Sequence, residues 1–158
     1  MKELVFMRHG HALGIIESGA GEDSKRPLSE TGKKQAAVSA KKLLELKFSP
    51  KVLIASPYFR AVQTAAIASS FFPEARHLEC AALASGNGPA VLELLEMELK
   101  NAASALVVGH QPLLGTIGGF LLGSESFNLT PGGFVYLRLK NAGAPHESEL
   151  VEFFSPGK

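Results

Sequence analysis

Short runs of consecutive apolar residues recur along this chain, separated by stretches in which apolar positions return every three or four residues. Leu4-Val5-Phe6-Met7, Val52-Leu53-Ile54-Ala55 and Ala105-Leu106-Val107-Val108 read as strands buried on both faces. Arg76 to Glu79 reads as a further short strand. Ser29 is placed to cap a helix with Glu30 in its first turn, and Ala36, Ala40, Leu43 and Leu44 fall on one face of it, opposite several lysines. Ser56-Pro57 reads as a second helix start, with serine as cap and proline at the first helical position, and with Ala61, Ala65, Ala68 and Phe72 facing inward. Gly88-Pro89 opens another helix with a stripe of Val91, Leu94 and Leu95, and Pro112 starts one more. Phe134 to Leu139 and Leu150 to Phe154 read as two last strands around a turn-rich segment at Asn141 to Pro145. So short a separation favours antiparallel pairing, because a parallel crossover needs more chain.

This alternation predicts an α/β layer fold. No repeat, low-complexity tract or linker interrupts it, so a single domain over residues 1–158 is expected. One connection stands out: Gly10 to Ser29 is long, polar and glycine-containing, and such a loop is either functional or mobile.

Composition narrows the class of function. The chain has 158 residues, 46% apolar and 20% charged, which is ordinary for a globular protein with a real core. A formal net charge of +1 gives no whole-molecule field that would select nucleic acid or an acidic membrane, so any anion affinity must come from a local cluster. The single cysteine, Cys80, excludes an internal disulfide framework and suits a reducing compartment. The N-terminal apolar run is too short for a signal-peptide core, and Leu113 to Leu122 is too short and glycine-rich to span a bilayer. A cytoplasmic monomer is the resulting expectation.

In open α/β sheets ligands gather outside the carboxyl ends of parallel strands. Three proposed strands deliver unusual residues there. The first runs into Arg8-His9-Gly10, the second into Ser56-Pro57-Tyr58-Phe59-Arg60, and the run at 105–108 into Gly109-His110-Gln111-Pro112. Taken singly, Arg8 and His9 could be surface residues, Arg60 half of an ion pair, His110 a structural histidine and Ser56 simply a helix cap. If the strands are parallel neighbours, two arginines and two histidines meet on one rim beside helix N-termini, a setting that suits a dianionic phosphoryl group.

The same segments carry a resemblance. Arg8-His9-Gly10, Ser56 to Thr64 and Val108-Gly109-His110-Gln111-Pro112 resemble, in order and spacing, the motifs of the histidine phosphatase superfamily. Arg26-Pro27-Leu28-Ser29 followed by Thr31-Gly32 is closer still to the small SixA-type phosphohistidine phosphatases. The resemblance implies a phosphoglycerate mutase-like fold, a three-layer α/β/α sandwich around a mixed, mostly parallel sheet with one antiparallel strand. It implies that His9 accepts the phosphoryl group, that Arg8 and Arg60 bind its oxygens and that His110 donates a hydrogen bond to them. Arg26 would contribute to substrate binding at the mouth, with any contact from Ser56 secondary to capping. No cofactor and no metal are implied. Larger members carry a Glu or Asp after the third strand as general acid. Here Cys80-Ala81-Ala82-Leu83-Ala84-Ser85 offers no carboxylate, and Glu79 precedes it.

The missing acid bears on substrate. An alkoxide leaving group needs a strong proton donor, whereas imidazole leaves phosphorus readily, so a phosphohistidine-bearing protein is the expected substrate. A broad small-molecule phosphomonoesterase and a non-catalytic phosphoprotein-binding module are the alternatives. Nearby arginines should lower the pKa of His9, and its other ring nitrogen should need a backbone carbonyl. Rival chemistries fit poorly. His9-Gly10-His11 resembles the paired metal ligands of barrel hydrolases, but that fold typically takes about 250 residues. The loop after Cys80 lacks the arginine of a thiolate phosphatase, and Gly86-Asn87-Gly88 lacks the third glycine of a dinucleotide site, position 91 being valine.

Overall fold

The computed structural model describes residues 1–140 and 148–157; the turn expected at Asn141 to Pro145 lies outside the described residues. Six strands, β1 (Lys2–Arg8), β2 (Val52–Ala55), β3 (Arg76–Glu79), β4 (Ser104–Gly109), β5 (Phe134–Leu139) and β6 (Ser148–Phe154), form one sheet in the order β3-β2-β4-β1-β5-β6. Strands β3, β2, β4 and β1 pair in parallel, and β5 is antiparallel to both β1 and β6. One strand therefore runs against the rest, as expected.

The helices are α1 (Ile15–Ser18), α2 (Glu30–Glu45), α3 (Phe59–Ser69), α4 (Ala81–Ser85), α5 (Gly88–Leu99) and α6 (Leu113–Leu122), with a 3-10 turn at Asp23–Lys25. Alternating strand residues feed two cores, because successive side chains leave a sheet on opposite faces. Leu4, Phe6, Val52, Ile54, Ala105 and Val107 pack with Leu83, Val91, Leu95, Leu114 and Ile117 on the side of α4, α5 and α6. Val5, Met7, Leu53, Leu106 and Val108 pack with Ala40, Leu43, Ala61, Ala65 and Phe72 on the side of α2 and α3. The result is the three-layer α/β/α sandwich. Cys80 is buried in the first of these cores.

Several local expectations shift. Ser29 does cap α2, accepting from the Gly32 N–H at 3.0 Å. Leu44 is 48% exposed, however, since the buried stripe of α2 runs through Gln35, Ala36, Ser39, Ala40 and Leu43, and the next residue lies about 100° further round the helix. Leu94 on α5 is only partly buried. Ser56 does not cap α3. Its N–H still bonds to Val108 O at 3.0 Å, extending the sheet by one residue, so the helix begins at Phe59 with Tyr58 in the cap position. Helix α4, five residues long, was not expected from the sequence. Among the described residues no helix is long and apolar enough to cross a membrane.

Candidate active site

Strands β2, β4 and β1 are consecutive and parallel, so their carboxyl ends open onto the same rim. Backbone bonds lock that rim: His9 N–H donates to Gly109 O at 3.0 Å, beside the Ser56 bond to Val108. A cleft of about 520 Å³ lies there, lined by Arg8, His9, Arg26, Arg60 and His110 together with His11, Asp23, Tyr58 and Ala84. Five of the six site residues expected from sequence thus share one cleft. The sixth, Ser56, is fully buried behind it, with its hydroxyl 2.7 Å from His110 Nε2.

His9 is half-buried, and its Nδ1 lies 2.7 Å from the carbonyl of Gly10. A carbonyl can only accept, so Nδ1 carries the proton and Nε2 keeps its lone pair. The pKa of His9 is lowered to about 3. Burial is the leading cause; the Gly10 carbonyl opposes it, and the charges of His110, Arg60 and Arg8 add to the lowering. The lowering expected from the arginines is present, but desolvation outweighs it. His110, whose ring centroid is 5.2 Å from that of His9, is lowered to about 4, by burial first and then by Arg60, with Asp23 pulling the other way.

The loop that carries His9 is held from several sides. His9 O accepts from Gly132 N–H at 3.0 Å. Gly10 N–H donates to Thr64 Oγ1 at 3.1 Å, and that hydroxyl donates to Arg60 O at 2.9 Å. His11 N–H donates at 2.8 Å to Oε1 of buried Gln35. The loop also presses on the start of α2, where a Cβ on Gly10 would overlap the Gly32 carbonyl and a Cβ on Gly32 would overlap that of His11.

The arginines are held differently. Arg8 Nη1 donates to Leu129 O at 3.0 Å, while its Nε is buried without a partner. Arg60 is 7% exposed and lies over the Tyr58 ring, 5.0 Å from its centroid. Both of its Nη atoms donate to Asp23, one to the main-chain oxygen at 2.7 Å and the other to Oδ2 at 3.1 Å. Arg26 donates from Nη1 to Asp23 Oδ1 at 3.0 Å and from Nε to Leu13 O at 2.8 Å. The bond from Arg26 does most to hold the Asp23 carboxyl below the usual carboxylate range; burial opposes it, and the bond and charge of Arg60 add to the lowering. Sequence reasoning missed Asp23, which sits in an aperiodic polar segment and has no marked spacing to any motif. Glu79 lines a separate hollow with Ser56 and Val62, and of the stretch 80–85 only Ala84 reaches the cleft. No cluster of three or more His, Cys, Asp or Glu side chains suited to a metal ion occurs among the described residues.

A neutral imidazole with a free lone pair beside two arginines defines a histidine phosphatase. Residues 4–83 match the family described as the histidine phosphatase superfamily (branch 1), and the chain belongs to that family. It is 30% identical, over 98% of its length and 96% of the other's, to an uncharacterized protein of Picosynechococcus sp.. Among solved structures it is similar to the protein histidine phosphatase SixA complexed with tungstate, with TM-score 0.85 and 25% identity over 98% of this chain and 97% of that one. A protein assigned as the phosphohistidine phosphatase SixA from Nakamurella multipartitia shares the fold, with TM-score 0.83 and 24% identity over 98% of this chain and 96% of that one.

Proposed function

We propose that this protein is a cytoplasmic, metal-independent phosphatase that removes the phosphoryl group from phosphohistidine on a protein. The observation that carries the reading is the pairing of a neutral, oriented His9 with a cleft whose only carboxylate among the described residues, Asp23, is held ionised by two arginines.

In the first step the lone pair of His9 Nε2 attacks phosphorus, the new N–P bond forms and the substrate N–P bond breaks. The departing imidazole keeps the electron pair and takes a proton from solvent. Nucleophile and leaving group are both imidazoles, so this step exchanges like for like and needs no strong acid. The transition state is loose, with charge spread over three equatorial oxygens, and its stabilisation is electrostatic. Arg8 and Arg60 serve those oxygens, with Arg26 at the mouth; the buried, unpartnered Nε of Arg8 is a donor that a phosphoryl oxygen would satisfy. His110 contributes through Nδ1–H if Ser56 donates to Nε2, which makes Ser56 a positioning residue. Water then attacks the phosphorus on His9, releasing inorganic phosphate and restoring the imidazole.

The test is mass spectrometry of enzyme quenched during reaction with an isotopically labelled phosphohistidine protein. A labelled phosphoryl adduct on His9, absent in His9→Ala along with turnover, is expected. Faster cleavage of sugar phosphates than of the phosphoprotein would overturn the substrate class, and an adduct elsewhere would overturn the mechanism.

A further inference from the structure

We propose that Asp23 is a positioning residue for the phosphoryl site, its carboxylate fixing the guanidinium planes of Arg60 and Arg26 in the orientation that receives an oxyanion. The proposal rests on the cleft being an oxyanion site, as read above, and not on which phosphorylated molecule is the substrate.

Arg60 leaves the first turn of α3 on a long, freely rotating side chain, yet it is almost wholly enclosed. Asp23 holds both of its Nη atoms, Nη1 through the main-chain oxygen at 2.7 Å and Nη2 through carboxylate Oδ2 at 3.1 Å. A planar group held at two donors along one edge has its plane fixed, whereas one held by the main-chain oxygen alone can turn about that single bond, so the carboxylate supplies the second hold; among the described residues Nε, on the opposite side, has no partner. Tyr58 covers one face. The second carboxylate oxygen of Asp23 takes Arg26 at 3.0 Å, and Arg26 is itself anchored to Leu13 O. One carboxylate therefore ties two cations from different elements to each other at the mouth of the cleft that holds His9. It also ties the long segment 10–29 to α3.

Two other roles for a carboxylate here make opposite predictions. A general acid needs a proton at neutral pH, and the arginines hold this carboxyl below its ordinary range, so it has none to give. A mere counter-charge would weaken the binding of a dianion by repulsion, so removing it would tighten that binding. A positioning group gives the reverse sign, because arginines freed to rotate lose the preorganised geometry.

The experiment is calorimetric titration of wild type and Asp23→Asn with tungstate, a tetrahedral dianion without a leaving group. Asp23→Asn should bind tungstate roughly tenfold more weakly although the cleft gains one positive charge. Its kcat/KM should fall by a similar factor for aryl and alkyl phosphates alike, measured at a temperature where circular dichroism shows the variant fully folded. In 15N spectra, the Arg60 Nη2 group, held by Oδ2 in the wild type, should rotate faster in the variant, while Nη1 keeps its main-chain bond. Asp23→Glu, which keeps the charge, should regain part of the loss. Equal or tighter tungstate binding by Asp23→Asn, or a loss confined to poor leaving groups, overturns the proposal. If wild type itself does not bind tungstate, the oxyanion-site reading falls and this one with it. Should the asparagine variant fail to fold, Asp23→Ser carries the same test.

Discussion

His110 Nε2 lies 2.7 Å from the hydroxyl of Ser56, a side chain sealed from solvent beneath the cleft. The same hydroxyl accepts from the Tyr58 N–H at 3.2 Å. With one proton to give and the Tyr58 amide occupying one lone pair, Ser56 can donate to a neutral His110. In that arrangement the proton of His110 sits on Nδ1, and Ser56, just beyond the end of β2, sets the tautomer of a residue delivered by β4.

Ser56→Ala should therefore do more than remove a buried hydrogen bond. Stability is expected to drop by about 1 kcal/mol, with the usual asymmetry of a buried partner left unpaired. The turnover number should fall roughly tenfold with little change in KM, since the ground-state arginine contacts are untouched. Long-range 1H–15N NMR of the His110 ring reads the tautomer directly. A single unchanged tautomer in Ser56→Ala would show that something other than this serine fixes it.

Arg60→Lys tests whether geometry or charge matters at that position. A lysine ammonium is a point charge on a flexible stem and cannot hold both Asp23 acceptors while presenting a free edge to phosphoryl oxygens. A loss of about a hundredfold in kcat/KM is expected, measured with an aryl phosphate. Retention of near-normal activity would mean that the cleft needs only a positive charge there.

Gly32 has a tertiary role that its own helix does not require. The catalytic loop passes so close to the first turn of α2 that a Cβ at this position would overlap His11 O. His11 N–H is meanwhile held by Gln35, one turn further along the same helix. Gly32→Ala should push the loop outward, dragging His9 from the arginines. Activity is expected to fall more than roughly tenfold, and the melting temperature to drop despite alanine's better helix propensity. A Gly32→Ala enzyme that is both stable and fully active would show that the loop yields without moving His9.

These cases mark where sequence stops being informative. The strands and the three converging ends were legible because burial on both faces leaves uninterrupted apolar runs, and because Arg8, His9, Arg60 and His110 fall directly after them. Ser29 was legible because a cap is a local device. Asp23 was not, since its partners, Arg60 and Arg26, are chosen by how a long aperiodic segment folds back over α3. Gly32 belongs to the segment that carries the resemblance, but the reason for a glycine there shows only once the loop packed on it is seen. Leu44 was misplaced because an apolar residue beside the stripe looks the same in sequence whether or not the sheet reaches it. The start of α3 was set two residues early because the sheet continues through Ser56, a matter of register that Ser-Pro cannot reveal.

The histidines also set how the fold responds to acid. In the unfolded chain a histidine titrates near 6.5, whereas in the cleft His9 is lowered to about 3 and His110 to about 4, burial being the main cause in both. Between those values the unfolded state binds protons that the native state refuses, so stability rises with pH across that window. The contribution is complete above about pH 6.5 and is lost as pH falls through the folded values. Urea midpoints of the wild type should therefore decline between pH 7 and pH 4.5. His9→Gln, which keeps a polar side chain but no titrating ring, should decline less, with His110 accounting for part of what remains. Histidine 13C shifts should meanwhile show the His9 ring still neutral at pH 5. A His9 signal that titrates near 6.5, or parallel urea curves for the two proteins, would mean that the ring is protonated in the native cleft as easily as in water, and that burial is not what keeps the nucleophile neutral.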